Sequence, residues 1–338
     1  MKVIFSERQR EHNPESYLSS GAAVPNPELP ERADRLLAAA LSAGLEPEAP
    51  ADYGDDLIAS IHAERYLTFL ENIHTRWSRI EGASKEVLPN VHPIERSDGY
   101  PKSAVGQVGF HVYDASCPIA AHTWLSARWS AMTAAHAAQR VISGDSACYA
   151  LSRPPGHHAS QDLAGGFCYL NNSAIAAQHL LSKFARVAII DVDVHHGNGT
   201  QRIFYERDDV LTVSIHADPI RFYPFFWGYA NETGSGAGLG YNVNIPLVRG
   251  TGDEDYLRSL DKALTAVGDY APEAIVIALG LDAHEEDPYQ GMKITTPGFA
   301  RIASRLAALA LPSVIVQEGG YLSDALGPNL ASFLNGFQ

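Results

Sequence analysis

The sequence predicts an α/β fold: one domain, residues 1–338, on a mostly parallel β-sheet with helices on both faces. Three observations carry that reading. From about residue 148, strand-like runs alternate with helical segments. Those runs, such as "VAII", "AIVIAL" and "SVIV", are almost wholly apolar, as strands covered on both faces are. No compositional break, repeat or low-complexity tract divides the 338 residues.

Each element has its local cause. "KVIFS" (2–6) reads as a strand and 7–30 as a long polar loop. Pro30 then opens a helix that ends at a glycine. "AERYLTFLENIHTRW" (63–77) has helical apolar spacing. Residues 78–120 show no clear period, and a loop that long usually serves function or an interface. An Ala-rich helix follows over about 121–143. Strands are expected at 148–153, 186–193, 210–216, "YNVNIPL", 274–282 and 313–320. Helices are expected at 172–184, near 199–206, and at 253–268, 297–310 and the C-terminus. An aromatic loop, 217–240, interrupts the series.

Composition narrows the function. Apolar residues make up 46% and charged residues 19%, a globular balance. The net charge of −14 argues against nucleic acid as partner and leaves a cationic substrate electrostatically open. Cys117, Cys148 and Cys168 lack CxxC spacing, which fits a reduced, cytoplasmic setting. The N-terminus has no signal-peptide core, and the longest apolar run is too short to span a membrane.

In such sheets, ligands sit beyond the carboxyl ends of the strands. Four expected strands end in polar clusters: His157 and His158; Asp191, Asp193, His195 and His196; Asp282; and Glu318 with Tyr321. If the chain stays extended to 195, Asp191, Asp193 and His195 share one side and His196 takes the other. Asp193, His195 and Asp282 make a three-ligand site with room for water, as in catalytic zinc centres. Two carboxylates and one imidazole also suit Fe²⁺ or Co²⁺. Asp191 is a candidate to orient an imidazole or bind another cation. The Pro154–Pro155–Gly156 turn presents two imidazoles as acid/base candidates, with Asp191 and Asn198 as partners. Flexible glycines before Tyr321 suggest a phenol aimed into a cleft, able to donate to an oxyanion. Metal, imidazoles and phenol together describe amide hydrolysis. Neither a GxSxG elbow nor a GxxxxGK[ST] loop is present.

The ordered motifs "RPPGHH", "GGFCYLNN", "DVDVHHGNGT", "GLDAHEEDP" and "EGGY" resemble the histone deacetylase superfamily. "KVIFSE", "PERADRLL", the 78–120 insertion and "FFWGYANETGSGAG" make the chain most similar to the bacterial acetylpolyamine amidohydrolase branch. The resemblance implies the arginase–deacetylase fold, with a mostly parallel eight-stranded sheet. It implies Zn²⁺ on Asp193, His195 and Asp282, His158 as general base and acid, and His157 as its electrostatic partner. Asp191 would pair with His157, Asn198 with His158, and Tyr321 would polarise the carbonyl. Gly166, Phe167 and Tyr223 would line the substrate tunnel. Structural K⁺ ions would lie near Asp191, Ser214 and the backbone of Asp193 and His195, and near Phe204, Val210 and Tyr241. The insertion implies a homodimer with a narrowed entrance, favouring small acetylated amines. The branch attracts the far amine with acids, where this chain has Tyr17, Val105 and Ser116; Glu15 and Asp114 are nearby substitutes.

Other readings stay open. The altered tunnel fits an acetyl-lysine deacetylase or a hydrolase of xenobiotic amides. "LDAHEED" superficially suits a binuclear ureohydrolase, which needs about twice as many ligands. A pseudoenzyme that only binds acetylated amines is the non-catalytic alternative.

Overall fold

The computed structural model describes residues 1–96 and 99–338. Ser97 and Asp98, within the "HPIERSDGYP" stretch of the insertion, lie outside the described residues.

Among the described residues, eight strands form one sheet in which every pairing is parallel. They are β1 (Lys2–Ile4), β4 (Glu46–Glu48), β5 (Ala147–Ala150), β6 (Val187–Asp191), β7 (Val210–Ala217), β8 (Asn242–Leu247), β9 (Ala274–Leu279) and β10 (Ser313–Gln317). Their order is β4-β1-β5-β10-β9-β6-β7-β8. Chain order breaks between β5 and β6, so β10 and β9 fill the centre. That break opens a crevice at the strand ends.

The expected helices form, and two unexpected ones, over Asp56–Ala59 and Ala104–His111, join them. They are α1 (Pro30–Ser42), α2 (Asp56–Ala59), α3 (Glu64–Trp77), α4 (Ala104–His111), α5 (Thr123–Ile142), α6 (Asn172–Leu180), α7 (Asn198–Phe204), α8 (Asp253–Tyr270), α9 (Thr296–Ala307) and α10 (Leu326–Phe337). Alternate strand side chains feed two separate cores. Val3, Tyr149 and Ile277 point into one, with Leu36 of α1, Leu260 of α8 and Phe333 of α10. Ile4, Cys148 and Val276 point into the other, with Phe69 of α3, Ala134 of α5 and Ile175 of α6. The small residues of α5 let it lie close to the sheet. Each fully buried Leu, Ile or Phe contributes roughly 1.5–3 kcal/mol.

Three expectations need correction. Residues 7–30 are not a plain loop: they hold a 3₁₀ turn (Glu7–Glu11) and an antiparallel hairpin of β2 (Ser16–Ser19) and β3 (Ala22–Pro25). Its two-residue turn has positive φ at Ser20 and Gly21, as a type I′ hairpin turn requires. The 78–120 segment contains α4, whose N-cap Ser103 accepts a hydrogen bond from the Gly106 N–H. The central strands also end early, at Ala150, Asp191, Leu279 and Gln317. Extension does not persist to 195. Instead Asp191 Oδ1 accepts from the Asp193 N–H (3.1 Å), and Asp193 Oδ1 accepts from the His195 N–H (2.8 Å). Successive side-chain-to-backbone turns thus replace the strand.

Candidate active site

These turns concentrate donors at the crevice. Ligand atoms of Asp193, His195 and Asp282 all lie within 4.8 Å of one another, and the three residues are buried. His195 Nδ1 is 3.1 Å from Asp193 Oδ1 and 3.2 Å from Asp282 Oδ2. Asp193 Oδ2 accepts from the Gly319 N–H at 2.8 Å, while Asp282 Oδ2 is buried without a hydrogen bond. A buried carboxylate oxygen left so is costly unless a cation completes it. Burial, then the neighbouring Asp193 carboxylate, pushes the Asp282 carboxyl above its ordinary range. The hard oxygens, the single imidazole and the orphaned oxygen fit a divalent cation.

Glycine is required at this cradle. A Cβ on Gly319 would lie 2.1 Å from Asp282 Oδ2 and 2.6 Å from Asp193 Oδ2. The "EGGY" glycines therefore serve close approach rather than flexibility. Gln317 Nε2 further pins the turn by donating to the Gly319 carbonyl at 2.8 Å and the Leu279 carbonyl at 3.1 Å.

The turn after β5 carries the two imidazoles. Glu318 Oε2 accepts from the backbone N–H groups of Gly156 (2.6 Å) and His157 (3.0 Å), and Ser173 donates to Oε1. His157 Nδ1 lies 2.9 Å from Asp191 Oδ2, and His158 Nδ1 lies 2.7 Å from Asn198 Oδ1. Burial pulls the His157 pKa down, but the Asp193 and Asp191 carboxylates win and raise it to about 10. Burial, with His157 and His195 adding to it, holds His158 well below its ordinary value. Two adjacent imidazoles are thus driven to opposite protonation states. His196 turns to the other side, toward Asn244 and His216.

A second buried group, His157, Cys168 and Glu318, also lies within metal-binding distance. Its His and Glu donors are already engaged by Asp191, Ser173 and backbone amides, so it reads as structural.

The donor cluster forms the floor of a cavity of about 350 Å³. His158, Phe167, Tyr223, Tyr289 and Tyr321 line it. Phe167 holds φ at +65°, and its edge meets Tyr321 at 5.9 Å between ring centres. Such a φ is strained for a bulky residue, and clusters at functional sites. A Cβ on Gly166 would come within 2.4 Å of the His158 ring. A larger cavity, about 730 Å³, is lined by Tyr113 and Asn198, and Asn198 in turn bonds His158.

The residues named for monovalent cations fall in two places. Asp191 pairs with Ser214 across β6 and β7, and the Ser214 hydroxyl lies 2.8 Å from His216 Nδ1. Phe204, Val210 and Tyr241 lie toward the other end of β7.

Three groups escaped the sequence reading. Arg32 of α1 is buried, stacks 4.9 Å over the Tyr321 ring, and donates to the carbonyls of Gly320 (2.5 Å) and Glu318 (2.9 Å). Glu28 pairs with Arg32 at 2.5 Å and with Arg153 at 2.9 Å. An arginine one turn before Leu36 on an apolar helix face was the available signal. Asp287 Oδ2 accepts from the Tyr321 N–H at 3.0 Å. The substitute acids do not face the cavity as expected. Glu15 pairs with Lys85. Asp114 is engaged by the Tyr223 hydroxyl (2.5 Å) and the Gly166 and Ser116 N–H groups. Tyr17 and Ser116 do line the cavity, and Val105 does not.

A profile of the histone deacetylase domain matches residues 26–337. The chain belongs to the histone deacetylase family. It is 46% identical to an acetylpolyamine amidohydrolase of Burkholderia pseudomallei, over 100% of this chain and 98% of the relative. It is 42% identical to an acetylpolyamine amidohydrolase of Mycoplana ramosa, over 99% of each chain. The crystal structure of acetylpolyamine aminohydrolase from Burkholderia pseudomallei superposes with a TM-score of 0.96, covering 100% of this chain and 98% of that one. The HDA15 HD domain, 27% identical, superposes at 0.82 over 98% of this chain and 89% of that one. The family deacetylase is accordingly a hydrolase on the arginase–deacetylase fold. No helix among the described residues is long and apolar enough to cross a membrane.

Proposed function

We propose that this histone deacetylase family member is a single-domain, zinc-dependent hydrolase of small acetylated amines, acetylpolyamines among them. One observation carries the chemistry. Asn198 Oδ1 is a pure acceptor, so the His158 proton sits on Nδ1 and leaves Nε2 bare on a ring that lines the cavity. Bound to Asp193, His195 and Asp282, a divalent cation supplies Lewis acidity to an amide carbonyl and to a water. His158 Nε2 takes the water's proton and returns it to the nitrogen as the C–N bond breaks. Asp191 keeps the His157 proton on Nδ1, and the resulting charge holds His158 neutral. Tyr321 donates its hydroxyl to the carbonyl oxygen as negative charge grows there. Phe167 and Tyr223 confine the chain behind the amide, with Gly166 allowing the approach. Acetate and a free amine leave.

Polyamines as substrates rest on the relatives, whose names specify them. K⁺ at the Asp191–Ser214 and Phe204–Val210–Tyr241 positions, a cytoplasmic location and a homodimer through 78–120 complete the reading. Exposed Val91 and Ile94 in that segment favour the dimer. The test is turnover of N-acetylputrescine, N-acetylcadaverine and an acetyl-lysine peptide before and after chelation. Activity on the small amides should vanish on chelation and return with Zn²⁺. Turnover by metal-free protein would sink the reading, and a large preference for the peptide would redirect it.

A further inference from the structure

Among the described residues that line the reaction cavity, Arg221 is the one cation besides the histidines, and the carboxylates are those of the donor cluster, Asp193 and Asp282. Arg221 lines the cavity and is exposed, and its guanidinium has no hydrogen bond or ion pair among the described residues. Ser19, Ser20 and Ser116 line the same cavity. Of the nearby carboxylates, Glu15 pairs with Lys85, Asp114 accepts from Tyr223 and two backbone N–H groups, and Asp218 accepts from the Ile220 N–H and does not line the cavity. Asp193 and Asp282 belong to the buried donor cluster. The net charge of −14 attracts cations from a distance. Its reach is limited to a Debye length of about 8 Å at physiological salt. A substrate already in the tunnel therefore responds mainly to the charges that line it, and beyond the donor cluster and its histidines that charge is the Arg221 guanidinium.

We propose that the protein also hydrolyses ω-acetamido acids, amides whose far end bears a carboxylate, and that Arg221 pairs with that carboxylate at the rim. This rests on the deacetylase reading above. A guanidinium presents a fork matched to a carboxylate, and the serine hydroxyls add donors. The reaction balances as for any acetamide. Water adds across the amide, the C–N bond breaks, acetate keeps the water's oxygen, and the freed nitrogen ends as the ammonium of an ω-amino acid.

The decisive pair is 5-acetamidopentanoate and N-acetylputrescine, which share the same methylene run and differ in the charge at its end. Their kcat/KM values are compared for Zn²⁺-loaded wild type, Arg221→Gln and Arg221→Glu. Calorimetry on the products, 5-aminopentanoate and putrescine, gives an independent binding readout. Wild type should favour the acid by about tenfold. Arg221→Gln should erase most of that preference, and Arg221→Glu should reverse it, chiefly through KM. Melting temperatures should match wild type, because the side chain is exposed. Turnover of the diamine amide with a ratio that Arg221→Glu leaves unmoved would overturn this inference alone. Turnover of neither substrate would overturn the deacetylase reading and this inference with it.

Discussion

The floor and the rim of one cavity are built on opposite terms. At the floor, Asp193, Asp282 and Glu318 are buried, and backbone amides just after β5, β6 and β10 bind at least one carboxylate oxygen of each. At the rim, Ser20, Arg221 and Phe225 are exposed on a hairpin turn and a loop between strands. The hairpin, ending at Pro25, precedes the matched range 26–337. The floor's chemistry is thus tied to the sheet, whereas the rim can change without disturbing it. That division lets one reaction serve several amide substrates.

The largest expected difference between the regions is catalytic. His158→Ala should lower kcat by about 10²–10⁴, the usual worth of a positioned acid/base. Tyr321→Phe should cost about 10²–10³, the worth of an oxyanion donor. Single-turnover assays with metal content measured in parallel would separate lost chemistry from lost metal. A kcat within twofold of wild type for either variant would remove that residue from the proposed mechanism.

Arg32 extends the floor downward into the fold. Arg32→Met would leave Glu28 short of a partner and free the carbonyls of Glu318 and Gly320. Breaking a buried pair from one side costs about 3–5 kcal/mol. The urea midpoint should fall accordingly, and kcat should drop because Tyr321 loses the guanidinium beneath its ring. A stability loss below about 1 kcal/mol would mean that Arg32 is dispensable to the floor.

Acid should also act on the floor's supports. Burial pushes His12 down to about 3, where the Arg153 charge adds to it and Glu28 opposes it. Burial likewise pushes His62 down to about 4, and its Nε2 accepts from the Asn171 N–H, which requires a bare nitrogen. Both folded-state values lie below the ordinary value near 6.5. Their stabilisation is therefore complete above about pH 6.5 and lost as pH falls toward the folded values. The unfolded chain binds the extra protons, giving a slope of up to ~1.4 kcal/mol per pH unit for each histidine. Chemical denaturation from pH 7.5 to 5 should show that loss above the carboxylate range, and His62→Gln should flatten it. A flat wild-type profile down to pH 5 would contradict it.

The same contrast explains what could be read from sequence. Asp193, His195, Asp282 and Tyr321 stand out because each follows a run that is apolar for a visible reason, burial on both faces. Asp114 and Arg32 do not. A carboxylate that braces Tyr223 from a segment without periodicity, or an arginine inside an amphipathic helix, looks like ordinary surface charge until the fold pairs it. The hairpin at 16–25 was missed for a similar reason. Its strands are short, lie outside the main sheet, and show only "SG" at the turn. The strands end before their apolar runs suggest, because the turns made by Asp191 and Asp193 depend on side-chain-to-backbone geometry that spacing does not show.

The smallest expected effect lies at the rim. Phe226 is 75% exposed, next to Phe225 and near Ile220, both also exposed. Removing a phenyl ring from either core costs about 3–5 kcal/mol. At Phe226 the ring is already in water, so Phe226→Ser should change unfolding free energy by no more than about 0.5 kcal/mol. Sedimentation of wild type and variant alongside the unfolding curves makes the comparison sharper. Unchanged stability and mass would show that the rim carries no structural weight in solution. A marked drop in both would show that these aromatics are buried against a second copy of the chain. The rim would then share the floor's rigidity, and Arg221 would act within an entrance shaped by two subunits.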